Sequence, residues 1–158
     1  MNHENDLEEW YGIWRSDLKI LASDYLGLLQ SGVLERDFRQ PPRGRRVELG
    51  NGRSCFVREA GVDRGAPPLL LLHGWFASAG LNWLRAFAPL AQQYRVLAPD
   101  FRGHAHGEPS ATGFRIEDCA DDMAALLEAL SPQTPAIVIG YSLGGMVSSG
   151  MNTSPSRS

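Results

Sequence analysis

The chain has 158 residues, enough for one domain with a buried core. Its formal net charge of −3 is spread over interspersed acidic and basic residues, which excludes a basic footprint for nucleic acid. No apolar run nears the roughly twenty residues that span a bilayer, and the polar, acidic start Met1-Asn2-His3-Glu4-Asn5-Asp6 is unlike a secretory leader, so the expected location is cytoplasmic.

Leu7, Tyr11, Trp14, Leu18, Leu21, Tyr25 and Leu28 recur in alternating steps of four and three, the spacing of a helix with one narrow apolar stripe. Asp6, Glu8 and Glu9 suit the positive end of its dipole. The stripe reads as an accessory helix that docks on the main domain, or as a surface for pairing with another chain. Gln40-Pro41-Pro42-Arg43-Gly44-Arg45-Arg46 follows as a linker whose basic residues read as a solvated junction. Residues 46–49 and 54–58 then read as two short strands joined by a Gly50-Asn51-Gly52 turn.

Gly65-Ala66-Pro67 breaks the chain before the continuous apolar run Pro68-Leu69-Leu70-Leu71-Leu72, which suits a strand covered on both faces. His73-Gly74-Trp75-Phe76 comes next, then a helix over 81–92 and a buried strand over 94–99. That strand ends in Asp100-Phe101-Arg102-Gly103-His104. Residues 114–130 form an amphipathic helix: Ile116, Ala120, Met123, Leu127 and Leu130 share one face, and Glu117, Asp118, Asp121 and Asp122 lie outside it. Cys55 and Cys119 stand alone, without metal-ligand spacing, and read as buried reduced thiols. A hairpin followed by strand–helix alternation argues for an open α/β sheet.

The last strand, Ala136-Ile137-Val138-Ile139, leads directly into Gly140-Tyr141-Ser142-Leu143-Gly144-Gly145. A strand, then G-x-S-x-G, then a helix of small residues is the context of a nucleophile elbow. A serine raised on so sharp a turn needs small residues two before and two after it, which Gly140 and Gly144 supply. Ser142 Oγ would stand clear of the sheet, with the Leu143 N–H free to face a developing oxyanion.

From about residue 45 to 147 the chain resembles the N-terminal portion of α/β-hydrolase-fold proteins, in the Ser-nucleophile, esterase- and lipase-like branch. The matching features keep that family's order: the hairpin, Leu69-Leu70-Leu71-Leu72-His73-Gly74-Trp75, Ala98-Pro99-Asp100-Phe101-Arg102-Gly103-His104, the amphipathic helix and the elbow. The resemblance implies Ser142 as catalytic nucleophile and the backbone N–H groups of Trp75 and Leu143 as oxyanion donors, with Phe76 a weaker claimant. It implies a structural role for His73, and loop-holding roles for Arg102 and His104. The implied chemistry is hydrolysis of a carboxylic-ester-like bond in a small-molecule acyl substrate through an acyl-enzyme, with no metal and no organic cofactor.

In that family an acid and then a histidine follow the serine. Here none of the sixteen residues after Ser142 is Asp, Glu or His, and from Ser148 the pattern turns to Ser, Gly, Asn and Pro. The expected fold is therefore α/β: a truncated α/β-hydrolase sheet, its N-terminal hairpin followed by parallel strands with flanking helices, preceded by an N-terminal amphipathic helix. The expected domains are 1–42, helical extension and linker; 43–147, hydrolase part; and 148–158, a polar tail outside the family, arising from a frameshift, a premature stop or alternative splicing. His104 and His106 are the upstream candidates for a substitute base. Without a base the chain is expected to be inactive. The alternative is a non-catalytic binding or regulatory protein, associating with itself or another chain through its N-terminal helix and an exposed edge at the elbow strand. A split enzyme whose partner supplies Asp and His is the third reading.

Overall fold

The structure, a computed structural model, describes residues 40–50, 52–110 and 113–151. The apolar stripe of residues 7–28 and the end of the polar tail lie outside these residues. Five strands form one mixed sheet: β1 (Gly44–Gly50), β2 (Arg53–Ala60), β3 (Leu69–Leu72), β4 (Val96–Asp100) and β5 (Ile137–Gly140), in the order β1-β2-β4-β3-β5. β1 and β2 are the antiparallel hairpin, and β2 runs antiparallel to β4; β4, β3 and β5 are mutually parallel. Gly50 (φ 82°) and Gly52 (φ 71°) supply the left-handed backbone that closes the hairpin. β1 begins inside the expected linker, where Arg45 Nε donates to Glu59 Oε1 (2.8 Å) and Arg46 donates to Ser54 Oγ (3.2 Å).

Side-chain alternation along the strands divides the core between the two sheet faces. Leu70, Leu72, Val57 and Leu97 face α3 (Ile116–Leu130) and α4 (Leu143–Gly150), where Cys119, Ala120, Met123, Leu126, Leu143 and Val147 meet them. Leu69, Leu71, Val96 and Ala98 face the other way, onto Ala79 of α1 (Ala79–Asn82) and Phe87 of α2 (Phe87–Ala91). The four leucines of β3 are therefore buried from both sides, each contributing on the order of 2 kcal/mol. β5 is the outer strand next to β3, and Ile137 there is 45% exposed.

Three elements differ from the sequence reading. The helix expected over 81–92 is two short helices separated by turns, with Ala86 and Phe87 both donating to the Trp83 carbonyl (2.8 and 3.1 Å). A single helix would put Pro89 in its interior, where it lacks an N–H and crowds the preceding turn. The restart instead places it in the first turn of α2. Asp122, expected outside the apolar face of its helix, is buried, because Arg53 (2.6 Å) and Arg102 (2.7 Å) reach it from β2 and from the loop after β4. The elbow helix runs on through Ser148 and Ser149 to Gly150. Both hydroxyls donate back to the Gly145 carbonyl (2.7 and 3.0 Å), and Met151 closes the core below them.

Burial pushes the Cys55 and Cys119 thiols from 9.0 up to about 12, with nearby carboxylates adding to the shift at both. The fold thus favours the neutral thiol. That stability is fully present below pH 9 and is lost as pH rises from 9 toward 12. Neither thiol should react with an aromatic disulfide reagent at about pH 8 until urea unfolds the chain, and the urea midpoint should fall as pH climbs through that window. Rapid reaction of the native protein would contradict the burial.

Candidate active site

The register pair Leu72↔Gly140 brings the carboxyl ends of β3 and β5 level, so the loops leaving them emerge side by side. One carries His73-Gly74-Trp75 and the other Tyr141-Ser142-Leu143. Their contact is close. Tyr141 N–H donates to the Leu72 carbonyl (3.0 Å), and a Cβ on Gly74 would stand 2.8 Å from the Tyr141 ring. Gly74 N–H in turn donates to Asn82 Oδ1 (3.0 Å), which ties the β3 loop to the end of α1.

Ser142 occupies the tip of the second loop with φ 54° and ψ −112°, a conformation that side-chain-bearing residues rarely hold. The surrounding packing enforces it. A Cβ on Gly140 would sit 2.4 Å from the Gly144 carbonyl group, and one on Gly144 would sit 2.3 Å from the Leu72 oxygen. Only glycine lets strand, turn and helix approach this closely. Leu143, fully buried, anchors the start of α4, and Gly144 N–H donates to the Tyr141 carbonyl (2.9 Å). Ser142 is exposed, and its side chain makes no capping bond to the helix. Among the described residues neither the Trp75 nor the Leu143 N–H donates to a backbone carbonyl.

The three described histidines are engaged elsewhere. His73 is wholly buried: its Nε2 accepts from Phe101 N–H (3.0 Å) and its Nδ1 contacts the Gly74 carbonyl (2.8 Å), so the proton resides on Nδ1. Desolvation lowers its pKa and keeps it neutral. His73 therefore binds the end of β3 to the end of β4. His104 Nδ1 meets the Arg102 carbonyl (3.2 Å), and His106 Nδ1 meets Asp100 Oδ2 (3.1 Å) while its ring stacks on Phe56 of β2. Asp100 also accepts from Ala79 N–H (2.7 Å), fastening the start of α1 to the end of β4. That bond escaped the sequence reading, because nothing at Ala79 marks its N–H as an Asp partner. No imidazole or carboxylate among the described residues is hydrogen-bonded to Ser142, and no group of three His, Cys, Asp or Glu side chains there could hold a metal.

A parallel α/β sheet led by an antiparallel hairpin, with a strained serine between its last strand and last helix, defines a hydrolase-type core. The chain belongs to the alpha/beta hydrolase fold family, whose model matches residues 67–150. It is 37% identical over 100 residues to a non-heme chloroperoxidase of Streptomyces lividans, covering 63% of this chain and 35% of that protein. It is 39% identical over 80 residues to a soluble epoxide hydrolase of Corynebacterium sp. (strain C12), covering 51% of this chain and 27% of the other. Among solved structures it resembles Est816, described as an N-acyl homoserine lactone degrading enzyme: TM-score 0.60, 32% identity, 68% of this chain and 39% of that one. The chain thus spans about a third of the length of the curated relatives it matches. No described helix is long and apolar enough to cross a membrane.

Proposed function

We propose that the chain carries the nucleophile half of a serine-hydrolase site acting on an ester-like bond of a small acyl substrate. Ser142 Oγ attacks the carbonyl, the Trp75 and Leu143 N–H groups receive the oxyanion, and the alcohol leaves to give an acyl-serine that water then hydrolyses. The scheme uses no metal or organic cofactor. One observation carries it above the others: the backbone of Ser142 is held at φ 54° by glycines that admit no side chain. Strain of this kind survives only where the surroundings enforce it, and it gathers at functional sites.

Relatives of the chain bear the names of a lactone-degrading enzyme, an epoxide hydrolase and a chloroperoxidase. Ester chemistry is favoured by the residue type at the elbow. A serine that opened an epoxide would be left as an ether, which water does not readily cleave, whereas an acyl-serine is an ester and turns over. None of the described histidines is hydrogen-bonded to Ser142, so on this reading the described residues give the serine no base, a loss worth on the order of a millionfold in turnover. The expected behaviour of this chain is therefore slow, stoichiometric labelling by a fluorophosphonate at Ser142, abolished in Ser142→Ala, with negligible catalytic ester turnover. Equal labelling of the Ser142→Ala variant would remove the nucleophile assignment. Brisk turnover by this chain would mean that a base does reach Ser142 and would overturn that expectation.

The second reading is a non-catalytic protein that pairs with another chain, and the half-exposed Ile137 on the outer strand favours it. On that reading the N-terminal stripe shares in the pairing. Ile137→Lys would then shift the native mass of the protein and Ser142→Ala would not.

A further inference from the structure

Only three non-glycine residues among those described have positive φ: Ser142, Phe76 (55°) and Ala105 (43°). Ser142 directly precedes one candidate oxyanion donor, Leu143, and Phe76 directly follows the other, Trp75. Strain of this kind persists only where the surroundings over-determine it. On the Trp75 side the unit to be held is the Gly74–Trp75 peptide, whose planar trans geometry points the Trp75 N–H opposite to the Gly74 carbonyl. His73 Nδ1–H takes that carbonyl at 2.8 Å, from a ring that is wholly buried. This bond alone does not fix the loop. Gly74 has no Cβ, and its two backbone torsions turn more freely than those of any other residue type.

The second anchor is Asn82. Its Oδ1 accepts the Gly74 N–H at 3.0 Å, which holds the peptide before Gly74 as His73 holds the peptide after it. Only the oxygen end of the side-chain amide can do this, since its nitrogen donates. Asn82 is itself fixed, as the last residue of the single turn α1. Its own N–H donates to the Ser78 carbonyl (2.9 Å), and Leu81 N–H donates to Ser78 Oγ (3.1 Å). At the start of that turn Ala79 N–H donates to the buried Asp100 carboxylate at the end of β4 (2.7 Å). A short chain of bonds therefore runs from a core strand through α1 and Asn82 to the peptide that carries the candidate donor.

We propose that Asn82 is a positioning residue for the oxyanion site: by holding Gly74 it aims the Trp75 N–H, without touching substrate itself. The proposal rests on Ser142 acting as nucleophile and the Trp75 and Leu143 N–H groups as donors. The test is labelling of the full chain with a fluorophosphonate, whose phosphoryl oxygen accepts from both N–H groups in the Ser142 adduct. When the adduct forms, the Trp75 and Leu143 amide proton resonances should both move downfield in the wild type. In Asn82→Leu the Trp75 movement should be lost and the Leu143 movement kept. Labelling of that variant should slow about tenfold, within the roughly hundredfold that a misplacement of about 1 Å can cost. Asn82→Asp keeps an oxygen at the same reach and should restore the Trp75 movement. Equal Trp75 movement in the wild type and Asn82→Leu would overturn the positioning role and leave the nucleophile reading intact. Loss of both movements in Asn82→Leu would also overturn it, since Asn82 would then support the elbow as a whole, and so would a Trp75 movement absent from Asn82→Asp. No labelling of the folded wild type, or labelling with neither resonance moved, would remove the reading beneath the proposal and the proposal with it.

Discussion

Gly144→Ala should destabilise the domain by about 3 kcal/mol or more, enough to leave a marginal fold largely unfolded. The new methyl carbon would lie 2.3 Å from the Leu72 oxygen and 2.7 Å from its carbonyl carbon. Those are backbone atoms of β3, buried between β4 and β5, so no side-chain rotation can relieve the clash. α4 would have to lift off β3, uncovering Leu72, Leu143 and Val147 together. Gly145→Ala is the control. Its methyl would approach nothing closer than the Gly140 oxygen at 3.9 Å, and alanine is the better helix former by roughly 1 kcal/mol. Urea denaturation should therefore move in opposite directions for two adjacent glycines of the same helix. Similar midpoints for both variants would mean that the strand–turn–helix contact is looser than the geometry states.

This contrast also marks what can be read from the chain alone. The pair Gly140 and Gly144 around a serine, behind an apolar strand, was legible because close backbone approach has one chemical solution and glycine is it. The run of four leucines was legible for a similar reason, since continuous apolarity fits a strand covered on both faces. The positive φ values at Phe76 and Ala105 were not legible: those residue types carry no mark of a left-handed backbone, which the loops impose on them. The split between α1 and α2 had a local signal in Pro89 that the apolar pattern around it outweighed. The extension of α4 through two serines depends on hydroxyls bonding back to Gly145, a choice that composition counts against a helix. Gly44 and Arg45 read as linker and not as strand, because Arg45's partner Glu59 lies across a hairpin.

Asp122 is the clearest case of a residue whose place is decided by distant partners, and its removal is the second large effect. Asp122→Ala should cost about 3–5 kcal/mol, since it leaves the guanidinium of Arg102, a side chain only 17% exposed, without its closest carboxylate. Asp118, at 3.3 Å from the same guanidinium, would compensate in part. Arg53 is 36% exposed and can turn to water, so Arg53→Met should cost much less than Arg102→Met. The pair Arg102→Met with Asp122→Leu should recover most of the loss, because a buried ion pair replaced by apolar groups of similar volume is often neutral. The damage should also be local in its first expression. Arg102 begins the loop that carries His104, and that loop is closed by Gly103 N–H to the Glu108 carbonyl and Gly107 N–H to the His104 carbonyl, both 2.7 Å. In Asp122→Ala, hydrogen exchange at Gly103 and Gly107 should rise before exchange at β3 and β4 does. If the whole sheet loses protection in one step, the Arg102–Asp122 pair supports the global fold and not this loop in particular.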